Sequence, residues 1–172
     1  ILLKGSLDDS YGQGVESIVF ADGATWSKKD VRERLFAQAA TDGNDTISGS
    51  DVADTINGGV GNDTITARDG DDTIRGGKGD DKLYGGKGDD TYIYARGDGH
   101  DTITEDYSEG YADKLALEGL NPADVSLSTK GTDVTLTVAE SKPGAGDGGS
   151  ILLKGSLDDS YGQGVESIVF AD

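Results

Sequence analysis

Gly76-Gly77-Lys78-Gly79-Asp80-Asp81 and Gly85-Gly86-Lys87-Gly88-Asp89-Asp90 are one hexapeptide written twice, nine residues apart, and Gly58-Gly59-Val60-Gly61-Asn62-Asp63 keeps the same frame. Moving outward, Asp45, Asp54, Asp63, Asp72, Asp81 and Asp90 follow a nine-residue step without a gap. Two positions after each stands an apolar residue: Ile47, Ile56, Ile65, Ile74, Leu83 and Tyr92. Thr lies between the two in every unit except the one with Lys82. A fixed short period of this kind marks a repeat architecture, in which stacked units share one core.

Each part of the nonapeptide has a physical task. Glycine lets the backbone bend sharply through positive φ and turns carbonyl oxygens toward one point. Asp adds a carboxylate on a short stem, where Glu would overshoot a tight turn. The Thr-apolar-x triplet is a very short strand whose apolar member faces inward. Carboxylate and carbonyl oxygens, with no nitrogen or sulfur among them, suit Ca²⁺ at about 2.3–2.6 Å.

Composition agrees with this reading and excludes others. The chain has 172 residues, 33 acidic against 15 basic, and a net charge of -18. Of the acids 26 are Asp and 7 are Glu; residues 40–103 hold 14 Asp, 14 Gly and no Glu. Low hydrophobicity with high charge is also the signature of disorder, but here the excess keeps a strict spacing. A metal-free stack of aspartates would repel itself. The negative field disfavours nucleic acid and anionic membranes as partners. No apolar run reaches the roughly 18 residues of a membrane span. With 0 Cys there is no disulfide framework, zinc–thiolate site or thiol nucleophile. With 0 Met, and so no initiator, the chain is expected to be a piece of a longer one.

The frame resembles the RTX family of haemolysin-type calcium-binding repeats, with its Gly-Gly-x-Gly-x-Asp nonapeptide. The resemblance implies an all-β fold, a right-handed parallel β-roll with two nonapeptides per turn. It also implies ions held between positions 18 apart. Carried over, Asp45 faces Asp63 and Asp63 faces Asp81 on one side, and Asp54 faces Asp72 and Asp72 faces Asp90 on the other. Carbonyls of Gly43, Gly59, Gly61, Gly70, Gly77, Gly79, Gly86 and Gly88 complete the shells, for about four to six Ca²⁺ ions. The frame slips after Asp90; Gly97, Gly99 and Asp101 are expected to close one further site with Asp81. Residues 67–72, Ala-Arg-Asp-Gly-Asp-Asp, lack the glycine pair, and residues 49–54 carry Val52 and Ala53 in place of Gly and x. The 63/81 site is therefore expected to be best formed, with 72/90 next.

Outside the repeats the pattern changes. Leu115 and Leu117, Val125 and Leu127, and Val134, Leu136 and Val138 alternate with polar residues, which predicts strands. Strands are also expected at Ile151–Lys154 and Val165–Ala171, joined by a turn over Asp158–Gly164. Over 23–40 the pattern predicts a helix, capped by Ser27 with Asp30 three residues on. Trp26 and Val31 take the staple positions, and Val31, Leu35, Phe36 and Ala39 form an apolar face. The expected layout is the end of a preceding flank plus a capping helix (1–39, helix about 28–38), a calcium-binding β-roll (40–103), and a β-strand flank (104–172). Residues 1–22 recur letter for letter as 151–172. That fits one unit of a tandem array with a 150-residue period, and makes neighbouring copies expected partners. The first copy is expected either to start a continuous solenoid or to pack on a neighbour's flank.

The lone His100 is expected to be a turn residue rather than a catalyst, and Arg96-Gly97-Asp98 a turn rather than an attachment signal. No nucleophile elbow, zinc-protease motif or phosphate loop occurs. The expected function is a non-enzymatic, calcium-binding structural module of a large secreted or bacterial cell-surface protein. The resemblance implies export by type I secretion machinery and folding outside. The alternatives are the export tail of a secreted hydrolase, or an adhesin module that recognises a glycan.

Overall fold

The computed structural model describes residues 16–105, 112–157 and 164–171. A hairpin of β1 (Ser17–Val19) and β2 (Thr25–Ser27) leads into α1 (Lys28–Ala39). Six short strands follow, one per nonapeptide: β3 (Thr46–Ser48), β4 (Thr55–Val60), β5 (Thr64–Asp69), β6 (Thr73–Lys78), β7 (Lys82–Lys87) and β8 (Thr91–Ala95). Then come β9 (His100–Thr104), β10 (Lys114–Glu118), a 3-10 turn (Pro122–Asp124), β11 (Val125–Lys130), β12 (Asp133–Val138), β13 (Gly149–Leu153) and β14 (Ser167–Ala171). Among the described residues no helix is long and apolar enough to cross a membrane.

Successive nonapeptides alternate between two sheets, so two of them make one turn of a β-roll. One sheet runs β14-β10-β8-β6-β4, parallel throughout; the other runs β11-β12-β13-β9-β7-β5-β3. The register is 18 residues per turn: Ile47 pairs with Ile65 and Ile65 with Leu83, while Ile56 pairs with Ile74 and Ile74 with Tyr92. These residues stack into two apolar files, each member 2% exposed or less. Few apolar side chains per turn are available, because each triplet turns only its middle residue inward.

The region expected as a β-strand flank continues the same two sheets. Leu83 pairs with Ile103, Tyr92 with Leu115, Ile103 with Leu153 and Leu115 with Ile168, at separations of 20, 23, 50 and 53 residues. The growing separations hold insertions, among them the antiparallel β11–β12 hairpin against β13.

Helix α1 starts as its sequence dictates. Asp30 N–H donates to Ser27 Oγ (3.2 Å), and Ser27 N–H donates to Asp30 Oδ2 (2.7 Å). The expected apolar face is only partly used: Phe36 is buried, but Leu35 is 47% exposed and the polar Arg32 is buried instead. The helix packs on β3 and β4 at the head of the roll. What it meets there is the buried carboxylate of Asp54, so a cation docks better than a third aliphatic side chain.

The duplicated sequence adopts two pairings. In the first copy Ile18 pairs with Trp26 in the antiparallel hairpin, and Phe20 N–H donates to Ala24 O (2.8 Å). In the second, Ile168 pairs with Leu115 in parallel, and Ser167 N–H donates to Asp113 O (3.2 Å). Ladder bonds use alternate residues. Ile18 and Phe20 therefore bond toward β2, whereas Ser167 and Val169 bond toward β10. The two copies use opposite edges of one strand sequence. Residues 1–15 and 158–163, including most of the expected 158–164 turn, lie outside the described residues.

Candidate metal centre

The aspartates form two rows, one along each side of the roll. Asp45 N–H donates to Asp63 Oδ1 (2.8 Å), Asp63 N–H to Asp81 Oδ1 (2.7 Å) and Asp81 N–H to Asp101 Oδ1 (3.1 Å). On the other side Asp54 N–H donates to Asp72 Oδ1 (2.7 Å), Asp72 N–H to Asp90 Oδ1 (2.8 Å) and Asp90 N–H to Asp113 Oδ1 (2.8 Å). Asp113 N–H then donates to Glu166 Oε2 (2.6 Å), so a glutamate takes the next rung. One oxygen of each repeated carboxylate thus receives a backbone N–H from the turn before. The second oxygen is different. Oδ2 of Asp63, Asp72, Asp81 and Asp90 is buried and has no hydrogen-bond partner. A buried acceptor without a partner is costly, and four at equivalent positions are what a row of cation ligands requires.

The glycines fix where the carbonyls lie. A Cβ on Gly77 would stand 2.1 Å from Gly59 O, on Gly79 2.0 Å from Gly61 O, on Gly88 2.3 Å from Gly70 O, and on Gly61 2.5 Å from Gly43 O. Each carbonyl therefore abuts the bare Cα one turn on, and only glycine leaves room. Gly77, Gly79, Gly86 and Gly88 also have φ between +104° and +142°. Arg68 fills the missing glycine position with φ +88°, and its carbonyl still meets the would-be Cβ of Gly86 at 1.9 Å. The turn geometry persists there at the cost of a strained non-glycine residue. Gly58, Gly76 and Gly85 serve otherwise: a Cβ on any of them would come within 2.3 Å of Oδ2 of Asp63, Asp81 or Asp90.

The remaining candidates divide. Asp45 has its carboxylate engaged by Thr41, through N–H (2.6 Å) and Oγ1. Asp54 accepts from Ser50 N–H (2.7 Å) and Oγ (2.8 Å), and from Arg32 Nε (3.1 Å). These two head the rows and are satisfied by protein groups. Asp101 is buried below Asp81. The Gly99 carbonyl accepts from Ser150 N–H (3.0 Å) and Tyr94 Oη (2.8 Å), and Gly97 lies in the turn after β8. Asp98 is buried and accepts from Ala95 N–H (2.7 Å), so Arg96-Gly97-Asp98 is indeed a structural turn. His100 opens β9 instead of lying in a turn, with Nδ1 2.9 Å from Ser150 Oγ.

Asp113 and Glu105 escape a reading of the repeat because the nine-residue step has lapsed there. A signal exists: Asp113-Lys114-Leu115 repeats the Asp-x-apolar frame of Asp81-Lys82-Leu83.

The electrostatics match an anion-rich site. Burial, and then neighbouring carboxylates, push Asp81 and Asp90 up to about 6, Asp72 and Asp113 to about 7, and Asp101 to about 8. Asp63 is raised by the same burial.

A family model described as "RTX calcium-binding nonapeptide repeat (4 copies)" matches residues 40–74, 58–92 and 66–103. Residues 40–103 belong to that repeat family. Calcium binding by the RTX rows follows from the family, and the buried unpartnered oxygens fit the ion's preference for oxygen ligands. No curated protein matches the chain. Among solved structures, the chain is similar to the AlgE6R3 subunit from the Azotobacter vinelandii mannuronan C5-epimerase, at 28% identity and TM-score 0.49, over 67% of this chain and 73% of that one. It is also similar to the AlgE6R2 subunit from that enzyme, at 24% identity and TM-score 0.44, over 68% and 83%.

Proposed function

We propose that the chain is a non-enzymatic structural module of a large extracellular protein, exported unfolded and folded by Ca²⁺ outside. The observation that carries this reading is the set of four buried, partnerless Oδ2 atoms on Asp63, Asp72, Asp81 and Asp90. Without cations those oxygens repel one another within a roll that has little apolar area per turn. With cations each pair of turns gains a partner of opposite charge, and binding free energy becomes folding free energy. Calcium is scarce inside cells and millimolar outside, so the same chemistry times folding to the moment of exit.

Circular dichroism in EGTA, followed by millimolar Ca²⁺, tests this. The expected result is a largely unfolded spectrum that converts to β structure on adding Ca²⁺. Full β structure in EGTA, unchanged by the ion, would refute it.

The opposite edges used by the two copies of the duplicated strand favour a tandem array over a terminal export tail. In an array, strand 167–171 pairs with β10 on one edge and with the β2 of the following unit on the other. Hydrogen exchange compares one unit with a fused pair. Protection of the Ile168 and Phe170 amides only in the pair supports the array. Equal exchange in both sinks it.

A further inference from the structure

Three carboxylates meet beyond the last nonapeptide, drawn from both sheets. Asp90 precedes β8, Asp113 precedes β10, and Glu105 follows β9. One carboxylate oxygen of each lies within 4.8 Å of the others. Asp90 is fully buried and Asp113 is 5% exposed. Asp90 keeps the nine-residue step and Asp113 continues its row past the repeats, whereas Glu105 belongs to neither row; Glu105 and Asp113 both lie outside residues 40–103.

The groups around the cluster hold it in place without filling it. Asp113 Oδ1 accepts from Asp90 N–H (2.8 Å), and Asp90 Oδ1 from Asp72 N–H (2.8 Å). Glu105 accepts from the Tyr92 hydroxyl through Oε1, and from Gly86 N–H (3.4 Å) through Oε2. Asp90 Oδ2 has no partner. Gly85 leaves the space beside it open: a Cβ there would come within 2.1 Å of Asp90 Oδ2 and 2.5 Å of Tyr92 Oη. The partnerless oxygen and the tyrosine hydroxyl that holds Glu105 therefore border one gap. Three convergent carboxylates around that gap offer the all-oxygen donor set that a hard cation takes.

We propose that Asp90, Glu105 and Asp113 form a Ca²⁺ site outside the nonapeptide pairs, in which Glu105 replaces the glycine carbonyls of a regular turn. The ion extends the row past the slip in register and ties the last repeat to β10. This rests on the proposal that the rows are filled by Ca²⁺, and the experiment separates the two.

Native mass spectrometry at saturating Ca²⁺ counts the ions on the wild-type chain, Glu105→Gln and Asp113→Asn. Both substitutions keep the hydrogen-bond acceptor and remove the charge. Each variant is expected to carry one ion fewer than the wild type while its Ca²⁺-induced β spectrum remains. An unchanged count with unchanged affinity overturns the site. If the wild type itself takes up no Ca²⁺, the parent reading fails as well.

A second measurement does not depend on how the charge variants fold. Tb³⁺ in the site is expected to emit on excitation of Tyr92, whose hydroxyl bonds Glu105. Tyr92→Phe should remove the largest tyrosine-sensitised component while the Ca²⁺-induced β spectrum remains. Equal emission from Tyr92→Phe and wild type overturns the proposal.

Discussion

Arg32 Nε lies 3.1 Å from Asp54 Oδ1, with both side chains almost closed to solvent. The pair fastens α1 to the head of the roll and supplies with protein charge what an ion supplies lower down. Arg32→Met leaves the Asp54 carboxylate buried without its cation, which typically costs about 3–5 kcal/mol. In saturating Ca²⁺ the melting temperature is expected to drop by several degrees or more. Arg32→Met combined with Asp54→Asn should recover most of the loss, because the isolated charge is gone. A double variant no more stable than the single one would show that the pair is not the fastening.

The head and the interior of one row carry different predictions, at Asp45 and at Asp81. Asp45 is engaged by Thr41, whereas Asp81 has a buried oxygen with no partner. Asp81→Asn is therefore expected to lower the number of bound Ca²⁺ ions and raise the Ca²⁺ concentration needed for folding. Asp45→Asn should change both less. Calorimetric titration decides; equal effects would remove the distinction between row heads and row interiors.

Glycines at positive φ are not equivalent. At Gly119 (φ +63°) nothing lies within 4 Å of the point a Cβ would occupy, while at Gly79 (φ +142°) the Cβ would fall 2.0 Å from Gly61 O. Gly119→Ala is expected to cost about 1–2 kcal/mol, the ordinary left-handed penalty. Gly79→Ala should prevent the turns from closing and weaken Ca²⁺-induced folding far more. Chemical denaturation in Ca²⁺ ranks the two, and a similar cost for both would contradict the close stacking.

Proton and calcium occupancy should oppose one another. Without Ca²⁺ the folded-state values of Asp72, Asp81, Asp90, Asp101 and Asp113, at about 6 to about 8, lie above the ordinary carboxylate value of 3.8. A raised folded value means the folded form holds the proton more tightly. That contribution is full below the ordinary value and is lost as pH rises through about 6 to 8. In EGTA, β structure is thus expected to increase on going from about pH 8 to about pH 5.5. In Ca²⁺ the sign reverses: protons compete with the ion, so the folding midpoint should need less Ca²⁺ at the higher pH. Circular dichroism at fixed ionic strength reads both arms, and a flat response would contradict the buried-carboxylate rows.

The roll is legible in the sequence because its determinants are local. The nine-residue step of Asp45 to Asp90 gives the 18-residue register observed between Ile47 and Ile65, and Ser27 with Asp30 marks the helix start. What escapes are non-local choices. That β13 joins β9 across 50 residues, and β14 joins β10 across 53, leaves no periodic trace in the sequence. Arg32 has no place in the expected apolar face, and its burial depends on Asp54, a buried carboxylate 22 residues away in sequence. Asp113 and Glu105 are hidden by an insertion, although the Asp-x-apolar frame survives at Asp113.

The 18-residue register also has a mechanical meaning. Neighbouring rungs lie about 4.8 Å apart, whereas the same residues pulled straight reach about 60 Å. Each rung that closes takes up more than ten times the length it contributes to the folded axis. A chain anchored at one end would shorten as calcium winds it, and tension on the other end would compete with the ion for the same turns. Under the proposed calcium-driven folding the module would act as a winch, with calcium concentration setting the load it can hold.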